Sequence, residues 1–458
     1  MKKILIIFVL IFACNLSFSQ IYLNSEDEAV AIALNNSREL YFSKIQAVEN
    51  IRKSNLSFEN FLPDFTFSFS EDDSIIQNRE DSRSKRINFS VNQVLFDGGK
   101  SLYTYKENKI SALYDYQNYL LSEKNFKEKV VNAFNAVYLQ HKILEIKDEL
   151  LDKALLQLKI IETEVNIGIT LETDYLEYLV NLRKIENERK QLYFDLLQKE
   201  RELKNLLGLD KNVSVCILEQ EDKSYDFFEI QSFVDVLFPL VKSENIELKK
   251  LELSLKSAEN QSKISKKWLL PVLSLDAGAG FSGKSYPLTQ PEYNVKLKFS
   301  FESNPFISSA YSSGIGFKDE NISSVNNSVS GNVKIPTTIF SDIRLNRNSI
   351  LQTKAKIEQT KQNLYEEFYS LVLSHDDAEI QKSFLQETLS IQQKRLSFME
   401  LQLANGEIKH VDYLDALSEI VELNISILTK KNEFLSVCRQ LEIITGLNYG
   451  GIKNVCKI

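Results

Sequence analysis

The chain is poor in residues that break regular structure, with 14 Gly and 7 Pro in 458 residues. So few breakers exclude a collagen-like or low-complexity chain and leave room for very long helices. Cysteine is scarce as well. Beyond Cys14 only Cys216, Cys438 and Cys456 occur, with no CxxC spacing. That odd count argues against a disulfide framework or a cysteine metal site, though a Cys216–Cys456 pairing stays open. The three histidines, His141, His375 and His410, have neither HxxxH spacing nor a neighbouring Cys, so no metal or cofactor is expected. No GxSxG elbow is present, and no catalytic constellation replaces it. After the first twenty residues no run of about 18 apolar residues exists, which excludes a transmembrane helix. A basic tract is missing too, since 55 Lys+Arg are mixed among 63 Asp+Glu. Such mixing reads as solvated helix faces and not as a nucleic-acid surface.

What is present begins with a leader. Lys2 and Lys3 precede an apolar run from Ile4 to Ala13, and Ser17-Phe18-Ser19 offers a small-x-small cleavage site before Gln20. Residues 1–19 therefore read as a secretory signal peptide. Its loss moves the net charge from −8 to −10. Cys14 raises a rival reading, a lipoprotein processed at that cysteine, against which the bulky Phe12 speaks.

An internal duplication organises the rest. Asp174-Tyr175-Leu176-Glu177 recurs as Asp412-Tyr413-Leu414-Asp415, 238 residues on. At the same offset Gly168 matches Gly406, and Leu207-Gly208-Leu209 matches Thr445-Gly446-Leu447. Upstream, Glu39-Leu40 matches Glu247-Leu248 and Leu62-Pro63 matches Leu270-Pro271, both 208 residues apart. The first repeat is expected over 20–225 and the second over 226–458.

Each repeat has the same layout. A helix over 26–61 opens with Ser25 and Glu28, a capping-box pattern, and Pro63 ends it. Phe65, Phe67 and Phe69 then alternate with Thr66, Ser68 and Ser70, the period of a strand over 64–70. Ile87, Phe89 and Val91 alternate likewise within a strand over 86–96. Apolar groups on one face and small polar groups on the other suit a water-filled barrel whose lipid-facing residues are those six. A long helix over 100–165, a break at Gly168 and a return helix over 173–207 complete the repeat. The second repeat reads as helix 230–269, strands 272–281 and 331–340, long helix 342–403 and return helix 410–445. Between its strands Val295, Leu297, Phe299 and Phe301 alternate with Lys296, Lys298 and Ser300. That stretch is either an extended outer hairpin or the second strand itself, with 302–340 inserted after it.

Helix length then constrains the architecture. A helix of some 66 residues is about 100 Å long, too long for a globular core. The two shorter helices of one repeat together match it, so they can stack end to end beside it. In the last helix Leu414, Val421, Leu428 and Leu435 recur at sevens, as do Ile420, Ile427, Phe434 and Leu441. Two adjacent seven-residue stripes imply two packing neighbours and supercoiling.

Over nearly its whole mature length the chain resembles the TolC-like outer-membrane factors. Val94-Leu95-Phe96-Asp97-Gly98-Gly99 is similar to that family's strand-to-helix signature. Its counterpart Ile335-Pro336-Thr337-Thr338-Ile339-Phe340 keeps the proline and phenylalanine but lacks the glycine pair. Asn166-Ile167-Gly168 with Thr173-Asp174, and Asn405-Gly406 with Val411-Asp412, resemble the family's two hairpin tips. The resemblance implies a mainly α protein with β: long antiparallel helical hairpins plus four transmembrane strands per protomer, three protomers closing one twelve-stranded barrel above a periplasmic tunnel. It further implies the outer membrane as location and lipid as neighbour. A periplasmic adaptor and an inner-membrane pump are the implied partners, in tripartite efflux or type I secretion. Gly168, Ile169, Thr170, Asn405, Gly406 and Glu407 are the candidate docking tips. Glu172, Asp174, Glu407 and Asp412 are candidate entrance acids, with Asp174 and Asp412 alternatively capping the returning helices.

Two competing readings remain. A periplasmic coiled-coil scaffold or adaptor without its own pore needs no lipid-facing strands. An enzyme is suggested by Gly278-x4-Gly283-Lys284-Ser285, which matches the phosphate-binding loop pattern. That chemistry needs a helix starting at the Lys-Ser, and Pro287 and Pro291 forbid it.

Overall fold

The computed structural model describes residues 20–74, 82–210, 213–217, 227–267, 270–301, 306–318, 321–333 and 339–456. The signal peptide over 1–19, Cys14 with it, and part of the Ile335–Phe340 junction lie outside these residues. The protein is mainly helical with antiparallel sheet, and it divides into two compact units.

The helical unit comprises the described parts of Met1–Ser43, Leu120–Asn245 and Lys361–Ile458. Its elements are β1 (Gln20–Leu23), α1 (Glu26–Asn36), the lower part of α3 (Lys100–Asn166), α4 (Glu172–Leu207), β4 (Ser214–Ile217) and α5 (Val234–Glu244), followed by most of α7 (Ile339–Ala404), α8 (His410–Thr445) and α9 (Tyr449–Val455). β1 and β4 form a parallel pair. One core joins Leu23, Ala29 and Ala33 to Phe134, Val137, Leu203 and Leu207. A second joins Leu150, Ala154 and Ile161 of α3 to Tyr178, Leu182 and Ile185 of α4, and to Leu414 and Val421 of α8. Those spacings of three, four and seven place one apolar stripe of each helix against its neighbours. The second stripe of α8 serves a different core, where Phe434 and Cys438 pack with Ala378 and Tyr449. Polar groups tie the same helices together. Lys147, with its side chain almost wholly buried, reaches Glu188 at 3.2 Å and Glu422 at 2.6 Å, crossing from α3 to both α4 and α8. His375, fully buried, shares its Nε2 with the Tyr449 hydroxyl at 2.7 Å.

The sheet unit comprises the described parts of Lys44–Tyr119 and Ile246–Thr360. It holds most of α2 (Arg38–Leu56), α6 (Ile246–Ser265), and strands β2 (Asp64–Ser74), β3 (Ser82–Phe96), β5 (Val272–Gly283), β6 (Gln290–Ser300), β7 (Ile307–Lys318) and β8 (Asn321–Val333). All six strands form one antiparallel sheet in the order β2-β3-β5-β6-β7-β8. Beside it the helices are joined by polar contacts: Asn260 donates to the Tyr103 carbonyl at 2.8 Å and Asn50 to Asp115 at 2.8 Å.

Several expectations need correction. The sheet has six strands among the described residues, where four were expected. Of the two readings left open for the alternation at 295–301, the second strand itself is the one found: residues up to Ser300 belong to β6, which pairs directly with β5, and β7 and β8 continue the sheet. The strand expected over 331–340 ends at Val333, because α7 already starts at Ile339. The helix expected over 26–61 breaks at Ser37, whose extended backbone closes α1 while its hydroxyl accepts the Leu40 N–H of α2. The helix expected over 230–269 breaks in the same way at the extended Asn245. At Ser37 short-range polar bonding of the side chain competes with the helix ladder. Cys216, Cys438 and Cys456 are all thiols, so the Cys216–Cys456 bridge is not formed.

Among the described residues, four helices end on a glycine of positive φ: Gly168, Gly208, Gly406 and Gly446. A methyl group at Gly168 meets nothing within 4 Å, whereas at Gly208 it lies 2.9 Å from Asn36 Cβ. Gly168→Ala should cost about 1–2 kcal/mol, the left-handed penalty alone. Gly208→Ala should cost clearly more, because Asn36 must also move. Thermal unfolding of the two variants checks this, and equal losses contradict the Asn36 contact.

Candidate functional site: paired hairpin tips and a two-faced sheet

The two hairpin tips are built alike. After α3, Gly168 N–H bonds to the Val165 carbonyl at 3.0 Å and Ile169 N–H to that of Glu164 at 2.9 Å. After α7, Gly406 N–H bonds to Leu403 at 3.0 Å and Glu407 N–H to Gln402 at 2.9 Å. Both are the six-to-one and five-to-two closures that a left-handed glycine permits at a helix end. Just inside the tips Tyr175 donates to Glu162 at 3.4 Å and Tyr413 to Glu400 at 3.1 Å. Burial, and then the Glu400 bond, push the Tyr413 phenol up to about 12.

The tips also touch one another. Glu164 accepts from Thr170 Oγ1 at 2.8 Å and contacts His410 Nε2 at 2.8 Å, while His410 Nδ1 lies 2.7 Å from Gln157 Nε2. Lys409 Nζ reaches Asp174 at 3.0 Å, and Asn181 donates to Asp415 at 3.3 Å. The first tip thus grips the start of α8. Of the candidate acids, Asp174 is half-buried against Lys409, and Asp412 accepts the Lys409 backbone N–H at 3.3 Å, as a first-turn carboxylate does. Glu172 and Glu407 are exposed. Ile169 is exposed too, flanked by the equally exposed Ile167 and Leu171. Sequence reading missed Glu164, His410 and Lys409, because the partners of each lie more than 200 positions away or across a turn.

The sheet has two chemically distinct faces. Register pairs Phe65 with Val91, Phe67 with Phe89 and Phe69 with Ile87, so all six residues share one face. The same face continues through Ala279 and Phe281 of β5, Tyr293, Val295 and Leu297 of β6, Ile315 and Phe317 of β7, and Val325 and Val329 of β8. These apolar side chains are largely exposed, with Phe67 at 69% and Val329 at 80%. The opposite face carries Ser68, Asn88, Ser90, Asp276, Asn294, Lys296, Ser312 and Asn326. A hollow of about 600 Å³ opens on it, lined by Arg86, Glu292 and their polar neighbours. Glu292 bridges Arg86 at 3.2 Å and Lys318 at 3.4 Å. No described helix is long and apolar enough to cross a membrane.

The glycine-rich matches have structural roles. Gly278 and Gly283 lie within β5, and Lys284-Ser285 stand in the turn before β6, so no helix opens there. A Cβ at Gly278 would sit 2.5 Å from Asn294 Oδ1, and one at Gly280 would sit 2.2 Å from the Ile87 carbonyl. At the strand-to-helix junction Asp97 accepts from Gly99 N–H at 2.9 Å and Ser101 N–H at 2.6 Å, capping α3. Gly98, at positive φ, lies against Leu270, where a Cβ would stand 2.9 Å from the leucine's own.

Residues 237–447 match the family model of the outer membrane efflux protein. No curated protein matches the chain in sequence. Among solved structures, CusC is 14% identical, with 94% of each chain covered and a TM-score of 0.74. The Campylobacter jejuni CmeC outer membrane channel is 14% identical over 94% of this chain and 88% of its own, at 0.71. VceC, an outer membrane protein of Vibrio cholerae, is 11% identical over 93% of this chain and 96% of its own, at 0.73. At these identities the likeness establishes the fold.

Burial raises the Glu164 carboxyl, but the Thr170 and His410 bonds outweigh it and hold the group below its ordinary 4.5. A depressed carboxylate stabilises the tip above its unfolded pKa, and that stability is lost as pH falls through the folded value. The protection of amides at residues 165–171, taken relative to their intrinsic exchange rate, should therefore fall in the wild type as pH drops below about 4.5. In Glu164→Gln the tip should exchange faster at pH 7 and change less on acidification. An unaltered pH profile in the variant contradicts this role.

Proposed function

We propose that the chain, which carries an outer membrane efflux protein domain over residues 237–447, is the passive exit duct of a tripartite efflux or type I secretion system. Three copies close a barrel in the outer membrane and extend helical hairpins into the periplasm, where an adaptor and an inner-membrane pump engage them. The observation that carries this reading is the two-faced sheet. A mainly apolar face on one side and a polar face on the other is the pattern of a wall between lipid and water. A periplasmic scaffold would leave that apolar face in water. The pump, and not this duct, selects the cargo.

The hairpin tips supply the docking surface. Ile167, Ile169 and Leu171 stand exposed around Gly168, an apolar patch suited to an adaptor's helical tip. Asp174 and Asp412 are already engaged by Lys409. Glu172 and Glu407 therefore remain to form a charged ring at the entrance under threefold symmetry.

An arginine at Phe67 would place a charge among the exposed aromatics, costing roughly 2–4 kcal/mol in mid-membrane, and should deplete the trimer in outer-membrane fractions. The same change at Thr66, on the opposite face, should leave trimer yield near wild type. Equal yields in Phe67→Arg and Thr66→Arg contradict the membrane wall. Separately, Ile169→Arg should abolish export while leaving the trimer inserted, as read by cargo accumulation in cells. Normal export in that variant contradicts docking at this tip.

A further inference from the structure

Among the described residues the sheet does not close on itself. β2 pairs only with β3, and β8 only with β7, so each outer strand carries a row of backbone groups with no strand beside it. In lipid such an edge is prohibitive, and a barrel removes it only by closing. The two edges suit one another. β2 has 11 residues and β8 has 13. Six strands alternating in direction leave β2 and β8 running oppositely, so β2 of one copy beside β8 of another is an antiparallel pair. No change of face is needed, since Phe67 and Val329 stand on the same side.

The β6–β7 hairpin is part of this wall. Register carries one level straight across it: Val272 faces Ser300, Ser300 faces Ala310, and Ala310 faces Ser330. The inserted strands are therefore flush with β5 and β8 and do not project beyond them. They place Tyr293, Val295, Leu297, Tyr311 and Ile315 on the outward side, interrupted by Ser309 and by Ser313, which donates to Asn327 of β8 at 2.8 Å.

Resting on the trimer proposed above, we infer that three copies of this chain close an eighteen-stranded barrel by pairing β2 of each with β8 of the next. The family resemblance alone implies twelve strands. Barrel diameter grows roughly in proportion to strand number, so the lumen is about 1.5 times as wide and about twice the cross-section. Of the added strands, β7 presents the small Ser312, Gly314 and Gly316 to the lumen side and β6 presents Asn294, Lys296 and Lys298, a polar lining for a wide passage.

Cysteines placed on the polar faces of the two edges test the pairing. Ser68→Cys in β2 would be combined, one at a time, with Ser324→Cys, Asn326→Cys, Ser328→Cys or Ser330→Cys in β8. Oxidation in isolated outer membranes should link one of these pairs into dimers and trimers that reductant dissolves, with each single cysteine staying monomeric on denaturing gels. A trimer in which β2 takes no crosslink from β8 at any position, or takes it from Lys298→Cys in β6, overturns the inference but leaves the duct intact. If the wild-type chain forms no trimer in that membrane, the duct itself fails. A second measurement uses a chain with residues 284–320 replaced by Asn-Gly, which lets β5 turn back onto β8 in the same antiparallel sense. Viewed down the barrel axis by electron microscopy, its trimer should have a barrel about two-thirds as wide as wild type, and equal width overturns the eighteen strands. The crosslink does not depend on whether the shortened chain folds.

Discussion

Unsatisfied backbone governs this molecule more than any side chain does. A strand pair in water can present its outer N–H and C=O groups to solvent, but a strand in hydrocarbon has no such recourse. The six-stranded sheet pairs every internal edge and leaves two, on β2 and β8. In the proposed duct those two edges make association obligatory, because no rearrangement within one chain pairs an open sheet of this size with itself. Oligomerisation is then a consequence of hydrogen-bond supply and not of a sticky surface patch.

The helices answer a related demand by other means. Long helices satisfy their own backbone except at the ends, and here the ends are closed by left-handed glycines or carried by neighbours. Between the helices, apolar stripes are supplemented by buried polar ties such as Lys147 between Glu188 and Glu422, and His375 beneath Tyr449. A buried ammonium with two carboxylates adds little net stability, yet it is costly to mis-pair, so it penalises a slip in helix register. That suits bundles whose seven-residue stripes would otherwise permit sliding by a heptad.

Much of this was legible in the sequence because its signals are local. Alternation of Phe65, Phe67 and Phe69 with Thr66 and Ser68 fixes a strand and its two faces within five residues. Gly168 and Gly406 mark helix ends because few other residues adopt their backbone. The breaks at Ser37 and Asn245 were not legible, since a single Ser or Asn is common within helices and only the extended backbone there reveals a break. The extra strands were half legible: the alternation over 295–301 was plain, but pairing partners are a non-local property. β7 and β8 are hidden further by their serines, asparagines and glycines, which read as loop when burial is unknown.

The hairpin tips escape notice as a single site for the same non-local reason. Asp174 and Asp412 attract attention as a repeated motif, yet the side chain that engages Asp174 is Lys409, which has no counterpart in the repeat: the matching position is Leu171. His410 similarly falls opposite Glu172 in the alignment of the two halves and binds Glu164. The departures from the repeat, not the repeat itself, create the contact between the hairpins. Placing a lysine and a histidine at the start of only one of them supplies an ion pair to Asp174 and a contact to Glu164 once per chain, and so gives the pair of tips a defined partner and order.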